Sequence, residues 1–355
     1  MKSLYDFTLK ELQDEMVSLG QKSFRGNQVF SWVYQKRVRD FMDMSDVSIG
    51  FREVLKEKYN LTLPSIIKEQ VSYDGTVKML LELDDKQSVE TVLMRYDYGN
   101  AICVSSQVGC NMGCKFCASG LLKKQRDLKA YEMVGQVMKM QEYLDNEGKG
   151  ERVSHIVIMG SGEPFDNYDN VMRFIRICND QKGLAIGARH ITVSTSGLAT
   201  KIIDYSKEGL QVNLAISLHA SNDETRNKIM PINKAYPLDK LFNAIREYSK
   251  NADRRVTIEY ILLKGINDSL TNADELVELL KGTFAYVNLI PYNEVKENEF
   301  KRSEKKDVRA FYERLKSKGV NVTIRKEFGT DIDAACGQLR AKKEGVISEW
   351  GFKNW

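Results

Sequence analysis

The sequence predicts an α/β fold with a small helical region at its N-terminus. Strand-like apolar segments alternate several times with segments of helical period between Ala101 and Ile324. Residues 1 to about 60 instead carry apolar side chains at helical intervals. The 355 residues are 42% apolar and 29% charged, as in ordinary globular proteins. Regular alternation indicates parallel strands joined by crossover helices, in either an α/β barrel or a doubly wound sheet.

Three helices are expected in the N-terminal region. Thr8 and Glu11 have the spacing of a capping box, in which two side chains satisfy free amide groups at a helix start. Leucine and methionine residues follow at helical intervals and favour a first helix there. A second helix is predicted over Gln28–Arg39, and a third from about Ile49 to Tyr59. Together they are expected to form a small bundle.

Two apolar-rich segments, Lys78–Leu83 and Val89–Met94, follow the bundle and are predicted to form a strand pair. The expected organisation therefore has three parts. A helical accessory domain covers residues 1–65, linking strands cover residues 66–98, and the α/β core covers residues 99–345.

The core alternates between short apolar strands and amphipathic helices. Strands are predicted at Ile102–Ser105, Ser154–Met159, His190–Ser194, Val212–Leu218, Val256–Leu263, Val287–Ile290 and Val320–Ile324. Helices fit between them, for example at Ala130–Leu144, Asp169–Asn179, Leu238–Lys250, Asn272–Lys281 and Glu304–Lys318. In both candidate architectures, functional sites form at the carboxyl ends of the strands.

One loop carries three cysteines directly after the first core strand. Cys110, Cys114 and Cys117 have C-x3-C-x2-C spacing. Three thiolates on one loop can bind three irons of a 4Fe–4S cluster and leave the fourth iron open to a ligand. A structural zinc site or a ferredoxin-like cluster would instead need a fourth ligand. No cysteine or histidine follows within the next thirty residues, so the open, reactive cluster is favoured.

Small polar residues follow the later core strands. The Gly-Ser-Gly-Glu-Pro turn after the second strand lacks the full dinucleotide-binding motif, so it is either a ligand-binding turn or a plain tight turn. Serine hydroxyls at strand ends suit the ribose and carboxylate of a nucleoside cofactor, or they cap the next helix. A histidine there is as often a hydrogen-bonded core residue as a site residue. The candidates are Gly162, Glu163, Ser194, Ser217, Leu218, His219 and Asn293.

The cysteine loop, its place after the first strand and Phe116 beside the last cysteine together resemble the radical S-adenosylmethionine (SAM) superfamily. Two further segments, Cys103–Cys110 and Ile324–Leu339, are similar to the RlmN/Cfr family of radical SAM RNA adenine methyltransferases. The similarity includes Val89–Val92 and Met230–Asn233 and runs over essentially the whole chain. It implies a partial (β/α) radical-SAM barrel as the core fold.

The resemblance implies two cofactors. The three cysteines of the loop would hold a 4Fe–4S cluster, whose open iron would bind the amino and carboxyl groups of SAM. The candidates at the strand ends would contact the rest of SAM. Family members use two SAM molecules per turnover, one as methyl donor and one as source of a 5′-deoxyadenosyl radical. The electron donor would be a protein such as flavodoxin or ferredoxin.

The resemblance assigns the chemistry to two further cysteines and a glutamate. Cys336 accepts a methyl group from the first SAM, and the radical then removes a hydrogen atom from that methyl group. The S-methylene radical adds to adenine and forms a protein–RNA thioether. Glu90 is the candidate acceptor of the ring proton, although a glutamate on a strand normally faces solvent, and Cys103 is a second candidate. Cys103 then attacks the Cys336 sulfur, which releases the methylated base and leaves a disulfide bond.

The family has two branches. RlmN-type members methylate C2 of an adenosine in 23S rRNA at the peptidyl transferase centre and, in some cases, of one in tRNA beside the anticodon. Cfr-type members methylate C8 of the same rRNA base and confer antibiotic resistance. Gln107–Gly109, Pro164 and Ile186–His190 are more similar to the RlmN type. Two hypotheses outside the family stay open: a radical SAM enzyme with a different substrate, and a non-enzymatic iron–sulfur or zinc protein that binds RNA.

Charge and hydropathy agree with an RNA-binding protein outside membranes. The net charge of +4 is mild, and a single basic cluster is more often a solvated face. The family resemblance, together with the local cluster of Lys36, Arg37 and Arg39, implies that the N-terminal region binds RNA phosphates. No apolar run approaches the ~20 residues of a membrane span. The N-terminus lacks the apolar core of a signal peptide, and six cysteines are too sparse for a disulfide scaffold. The expected compartment is therefore the cytoplasm.

Overall fold

The computed structural model describes residues 1–294, 298–333 and 338–345. Its N-terminal part contains β1 (Lys2–Ser3), α1 (Leu9–Ser18), α2 (Phe24–Tyr34), α3 (Ile49–Lys58) and β2 (Tyr59–Asn60). The two short strands pair in parallel and bring the two ends of this region together. Apolar side chains of all three helices, among them Met16, Val33 and Leu55, are buried in the main core.

Helix α2 begins and ends earlier than the sequence predicts. The predicted range Gln28–Arg39 starts four residues too late and ends five residues too late. Glycine is a poor helix former, but a Cβ atom at Gly26 would lie only 2.7 Å from the Cα atom of Gln13, so its absence lets α2 lie directly against α1. Arg37 adopts a left-handed φ of 55°, which interrupts the helical path before Arg39.

The start of α1 is as predicted. The Thr8 side chain accepts the amide hydrogen of Glu11, and the Glu11 carboxylate accepts the amide hydrogen of Thr8 at 2.9 Å. Both halves of the capping box are therefore present, and they satisfy amide groups that have no partner within the helix.

The remaining strands form one large sheet and one small pair. They are β3 (Ser65–Val71), β4 (Val77–Glu82), β5 (Ser88–Tyr96), β6 (Gly99–Cys103), β7 (Gln107–Val108), β8 (Arg126–Asp127), β9 (Val153–Ile158), β10 (Ile191–Thr195), β11 (Asn213–Ser217), β12 (Val256–Leu262), β13 (Ala285–Pro291) and β14 (Val322–Ile324). Strands β7 and β8 pair with each other, and the other ten form the sheet in the order β14-β13-β12-β11-β10-β9-β6-β5-β4-β3.

The sheet confirms the seven predicted core strands and the predicted strand pair. Strands β6 and β9 to β14 run parallel, whereas β3 to β6 form an antiparallel extension at one side. Among the described residues, the edge strands β14 and β3 do not pair with each other, so the parallel strands form an open, partial barrel. The sequence does not predict β3, because most of its side chains are exposed at the sheet edge and show no clear apolar alternation.

Helices connect the parallel strands, and one more follows the last strand. They are α4 (Ala130–Asn146), α5 (Tyr168–Asn179), α6 (Ala199–Tyr205), α7 (Asp223–Ile229), α8 (Leu238–Ala252), α9 (Leu270–Leu280), α10 (Lys305–Ser317) and α11 (Gln338–Lys343). The sequence does not predict α6, α7 and α11, since seven or fewer residues give no clear helical period. In the described part of the chain, no helix has the length and apolar character needed to cross a membrane.

Helix α4 contacts the segment that follows α2 through ion pairs. The Asp145 carboxylate accepts two hydrogen bonds from Arg37, at 2.8 and 3.1 Å, and Glu142 lies 3.3 Å from Arg39. Lys36, the third member of the predicted basic cluster, lies over an aromatic ring. Arg37 and Arg39 are therefore paired within the chain, and RNA phosphates would compete with these ion pairs. Phosphate binding by this cluster stays a prediction.

Candidate active site

A cavity of about 330 Å³ lies at the carboxyl ends of the parallel strands. This volume is at the lower end of the range for ligand pockets, ~300 to 1,000 Å³. The structure brings nine of the predicted site residues into its wall: Cys110, Cys114, Cys117, Gly162, Glu163, Ser194, Ser217, His219 and Asn293. Leu218 is fully buried beside the wall, and Cys336 lies outside the described residues.

The cysteine loop is closed at its base by the antiparallel pair of β7 and β8. Within the loop, the amide of Cys110 donates to the carbonyl of Leu122 at 3.0 Å. The amide of Cys117 donates to the carbonyl of Cys114 at 3.2 Å. These contacts fold residues 107–127 into a compact loop that projects from the sheet. All three cysteines reach the cavity wall as a result.

The three thiols have the chemistry of metal ligands. Burial raises the pKa of Cys110 to about 12 and that of Cys114 well above its ordinary value, and the charge of Cys117 adds to both shifts. Coordination to iron replaces the thiol protons and removes this penalty, so the donor set fits a cluster. Within the described residues, no three Cys, His, Asp or Glu side chains are arranged to hold a single metal ion.

Glu163 lies buried at the end of the turn that follows β9. Its carboxylate accepts the amide hydrogens of Phe165 at 3.0 Å and Ser196 at 2.7 Å. Burial raises the pKa of this carboxyl, and the amide donors counteract part of the rise. Gly162 has a φ of 111°, and a Cβ atom there would lie 2.6 Å from Gln107. Glycine is needed for this close approach, whether or not a ligand also approaches the turn.

The serines at the strand ends do not cap helices. Ser194 on β10 and Ser217 on β11 line the cavity, while α6 and α7 begin after Leu198 and Asn222. The Asn222 side chain accepts the amide hydrogen that a capping residue would be expected to bind. The interpretation of these serines as helix caps is therefore wrong. Asn293, after β13, lines the same cavity.

His219 follows β11 in a left-handed conformation, with a φ of 58°. Its Nδ1 accepts the amide hydrogen of Ile261 at 3.0 Å, and its ring meets Phe116 edge to face at 4.9 Å. Burial lowers the pKa of His219 to about 3. The imidazole is therefore neutral at physiological pH and carries its proton on Nε2, where it can donate one hydrogen bond. It is a hydrogen-bonded core residue and a cavity residue at once.

A buried arginine joins the ends of β10 and β11. Arg226 on α7 donates hydrogen bonds to the carbonyls of Ser196 at 2.7 Å and Leu218 at 3.0 Å, and to Oδ1 of Asn233 at 2.8 Å. It is 0% exposed, and burial lowers its pKa to about 10. The guanidinium therefore fixes the two strand ends that carry the cavity serines. The sequence misses this role because the residue stands among polar neighbours on a short helix.

Replacement of Arg226 by methionine is expected to lower the free energy of unfolding by about 3 kcal/mol or more. Two carbonyl oxygens and one amide oxygen lose their donor inside the protein, and each unsatisfied buried group costs about 1–3 kcal/mol. Chemical denaturation measures the change. Arg246→Met on α8 is the control, because Arg246 is exposed and, among the described residues, its side chain donates only to Asn243. Equal losses in both variants would contradict the structural role of Arg226.

The apolar wall of the cavity has two ends. At the first, which we call the cluster end, Phe116 packs with Cys114 in one group of apolar side chains. At the second, the Cys103 end, Met94 and Phe328 pack with Cys103 in a separate group. Cys103 is itself 7% exposed, behind the wall. The cavity therefore extends from the cysteine loop to the neighbourhood of Cys103.

Three further cavity residues were missed by sequence reasoning: Glu259 on β12, Arg325 directly after β14, and Phe328. The sequence could have indicated Glu259 as a site residue, because a charged residue inside the apolar strand Val256–Leu262 is unusual. Arg325 and Phe328 follow the last strand in an irregular segment, where spacing carries no such signal.

Comparison with known proteins identifies the family. A model of the radical SAM superfamily matches residues 104–280, and one described as ribosomal RNA large subunit methyltransferase N-terminal domain matches residues 2–61. A probable dual-specificity RNA methyltransferase RlmN from Enterococcus faecalis is 56% identical over 345 residues, 96% of this chain and 97% of its own. Another from Streptococcus pyogenes is 55% identical over 343 residues, 96% of either chain. The chain belongs to the RlmN family.

A solved structure agrees with this assignment. The crystal structure of a radical SAM methyltransferase from Sphaerobacter thermophilus aligns with a TM-score of 0.90 and 42% identity. The alignment covers 95% of this RlmN-family chain and 99% of the other. The predicted radical SAM α/β fold is confirmed.

The glutamate that the RlmN resemblance assigns as a proton acceptor lies in a buried ion pair. Glu90 is 4% exposed and lies 2.8 Å from Nζ of Lys78, which is 0% exposed. The Glu90 carboxylate also accepts the amide hydrogen of Arg340 on α11, and Lys78 donates to the carbonyl of Asp333. Glu90 therefore does not face solvent. This ion pair contacts the chain on both sides of Cys336.

Proposed function

We propose that this RlmN-family protein methylates C2 of an adenosine in RNA, with 23S rRNA and tRNA as its substrates. The observation that carries the proposal is the similarity over nearly the whole chain to proteins named as dual-specificity RNA methyltransferases. The cavity supports it, since it extends from the three loop cysteines to the neighbourhood of Cys103.

The cluster end of the cavity is the proposed cofactor site. Its three loop cysteines would hold a 4Fe–4S cluster. When bound and reduced, the cluster supplies the electron that splits the sulfonium of SAM and yields the 5′-deoxyadenosyl radical. The buried carboxylate of Glu163 suits the amino group of SAM, and the hydroxyls of Ser194 and Ser217 suit its ribose and carboxylate. We assign Gly162, Leu218, His219 and Asn293 to the same site.

Cys336 is the proposed methyl carrier, and two SAM molecules are used per turnover. Its thiol loses a proton, and its sulfur attacks the methyl carbon of one SAM, which forms the S-methyl group and releases S-adenosylhomocysteine. The 5′-deoxyadenosyl radical takes one hydrogen atom from the S-methyl group and becomes 5′-deoxyadenosine, and the carbon radical that remains forms a bond to C2 of adenine. The adduct then loses the C2 proton to Glu90 or Cys103 and one electron, which the oxidised cluster would accept, and a thioether remains between the protein and the base.

Cys103 is the proposed resolving residue. Its thiolate attacks Sγ of Cys336, and the bond between that sulfur and the methylene carbon breaks. The electron pair of this bond passes to the carbon, which takes up a proton and becomes the methyl group of the product. The two cysteines remain as a disulfide, which must be reduced before the next turnover.

Glu90 and Cys103 are both candidates for the acceptor of the C2 proton. The Glu90 carboxylate contacts Lys78 and the amide of Arg340, so it must give up a contact before it reaches an adenine. A proton acceptor has to lie within hydrogen-bond distance of the proton that it removes. Cys103 packs with Met94 and Phe328, which line the Cys103 end of the cavity.

We also propose an electron donor and a cellular compartment for this protein. A one-electron donor such as flavodoxin or ferredoxin reduces the cluster. Because rRNA and tRNA are made and used in the cytoplasm, the proposal places the protein there. The second candidate function is methylation of C8 in the same rRNA base, which the same pair of cysteines would also serve.

The proposal is tested by transfer of a labelled methyl group from SAM to RNA under anaerobic, reducing conditions, followed by identification of the modified nucleoside. Label in adenosine supports the proposal. A protein that contains zinc and no sulfide, or that binds RNA without transferring label, would contradict it.

A further inference from the structure

A glutamate inside the partial barrel is not used by the chemistry described above. Glu259 on β12 is 5% exposed and lines the cavity. Its Oε2 accepts a hydrogen bond from Nδ2 of Asn288 at 2.9 Å, and Oδ1 of Asn288 accepts one from Thr323 at 3.3 Å. The Thr323 bond fixes the orientation of the amide, so its NH2 group faces Glu259. The second oxygen, Oε1, makes no hydrogen bond to any residue that the structure describes.

Because Glu259 lines the cavity, a ligand that enters it can supply the donor that Oε1 lacks. Burial raises the pKa of Glu259, and the nearby charge of Arg325 lowers it. Arg325 also lines the cavity, so this end of the wall offers one anion and one cation. A ligand that fits here would present an N–H or O–H group to Oε1.

The surroundings of Glu259 suit a flat ring. Met94 and Phe328 line the cavity at the Cys103 end, and Phe328 is itself held by Tyr96 at a ring distance of 4.6 Å. Unstacked RNA bases are bound in proteins by stacking on such side chains and by hydrogen bonds to their edges. Adenine has an N6 amino group as its edge donor, whereas the corresponding atom of guanine and hypoxanthine is an oxygen acceptor that a carboxylate oxygen repels.

Two adenine rings enter this cavity in the proposed reaction, one in SAM and one in the RNA. The cluster end is the place of SAM, because the loop cysteines lie there. Through Asn288, Glu259 is linked to Thr323 on β14, and Phe328 of the Cys103 end follows that strand, so Glu259 lies on the side of the cavity that Phe328 lines. We propose that Oε1 of Glu259 accepts a hydrogen bond from the N6 amino group of the target adenine, and that this contact selects adenine over other purines. The inference rests on the proposed function and adds a specificity residue to it.

The test uses three RNA substrates that differ only in the target base: adenosine, purine riboside, which lacks the amino group, and inosine, which carries an oxygen. All three have a hydrogen at C2. For the unsubstituted protein, kcat/KM is expected to be about 10- to 100-fold higher for adenosine than for purine riboside, as for loss of a hydrogen bond to a charged group. Inosine is expected to be the poorest substrate.

Glu259→Gln keeps the size of the side chain and an acceptor for Asn288, and it turns an N–H donor toward the cavity. The preference for adenosine over purine riboside is expected to fall to near one, and inosine is expected to gain relative to adenosine. Glu327→Gln is the matched control, because Glu327 is a carboxylate of the same cavity rim that pairs with Arg302. It is expected to keep the preference of the unsubstituted protein.

Two results would overturn the assignment. The first is an unsubstituted protein that methylates adenosine and purine riboside equally well. The second is a Glu259→Gln variant that keeps the preference for adenosine, and a raised KM for SAM in that variant would then place Oε1 against the adenine of SAM. Failure of the proposed function is distinguishable from both, because the unsubstituted protein would then methylate none of the three RNAs.

Discussion

A Cys103→Ala variant is expected to accumulate a covalent complex between protein and RNA instead of releasing methylated RNA. Cys103 supplies the thiolate that attacks the sulfur of Cys336, so its removal leaves the thioether between Cys336 and the base intact. The complex is measured after anaerobic reaction as a band of reduced mobility on a denaturing gel, and nuclease treatment should return it to the position of the protein.

Two companion variants make this result specific. Cys336→Ala is expected to give neither complex nor methylated RNA, because no methyl carrier remains. Cys178→Ala is the matched control, since Cys178 is fully buried on α5 and does not line the cavity. It is expected to release methylated RNA as the unsubstituted protein does. Full turnover by Cys103→Ala, with no complex, would contradict the role assigned to Cys103.

A Cys114→Ser variant is expected to lose cleavage of SAM altogether. Serine has nearly the same shape but is a poor ligand for iron at neutral pH, because its hydroxyl keeps its proton. With two cysteines left on the loop, the cluster lacks a ligand and the electron that splits SAM is not delivered. Iron and sulfide content and the yield of 5′-deoxyadenosine after reduction measure the loss.

The control for this variant is Cys178→Ser, which makes the same exchange at the buried position on α5. It is expected to keep iron, sulfide and cleavage of SAM, although burial of the hydroxyl lowers its stability. Undiminished cleavage by Cys114→Ser would rule out Cys114 as a cluster ligand.

The core of the fold was predictable from the sequence because its signals are local. Each parallel strand is a short apolar run, and the longer helices repeat their apolar residues over three or more turns. Helices α6, α7 and α11 are too short for such a repeat, and β3 is an exposed edge strand. The early start of α2 has a different cause. Gly26 lies inside this helix because its missing Cβ atom allows a close contact with α1, and no local sequence pattern reveals that contact.

The site was partly predictable for a related reason. The three loop cysteines and the polar residues after the strands follow regular positions along the chain, so the topology brings them to one cavity. Arg226 and Glu259 were missed because their importance lies in what they contact across the fold. Glu90 was named from the resemblance, but its ion pair with Lys78 needed the structure. Cys336 lies outside the described residues, so its contact with Cys103 stays a prediction.

The basic cluster near the N-terminus shows how charge in a sequence is open to two interpretations. Arg37 and Arg39 were expected to bind RNA phosphates, yet both contact carboxylates on α4. A cluster of cations in the sequence does not reveal whether the partner is a nucleic acid or another helix of the same chain. The ion pairs give these residues a structural role in addition to any role in RNA binding.

The identity of the modified nucleoside is the most direct test of the proposed reaction. The protein is purified anaerobically, reduced, and incubated with SAM and either a 23S rRNA fragment or tRNA. The RNA is then digested and its nucleosides are compared with authentic standards by mass spectrometry. The expected product is 2-methyladenosine in both RNAs. Formation of 8-methyladenosine, or of no methylated adenosine at all, would contradict the proposal.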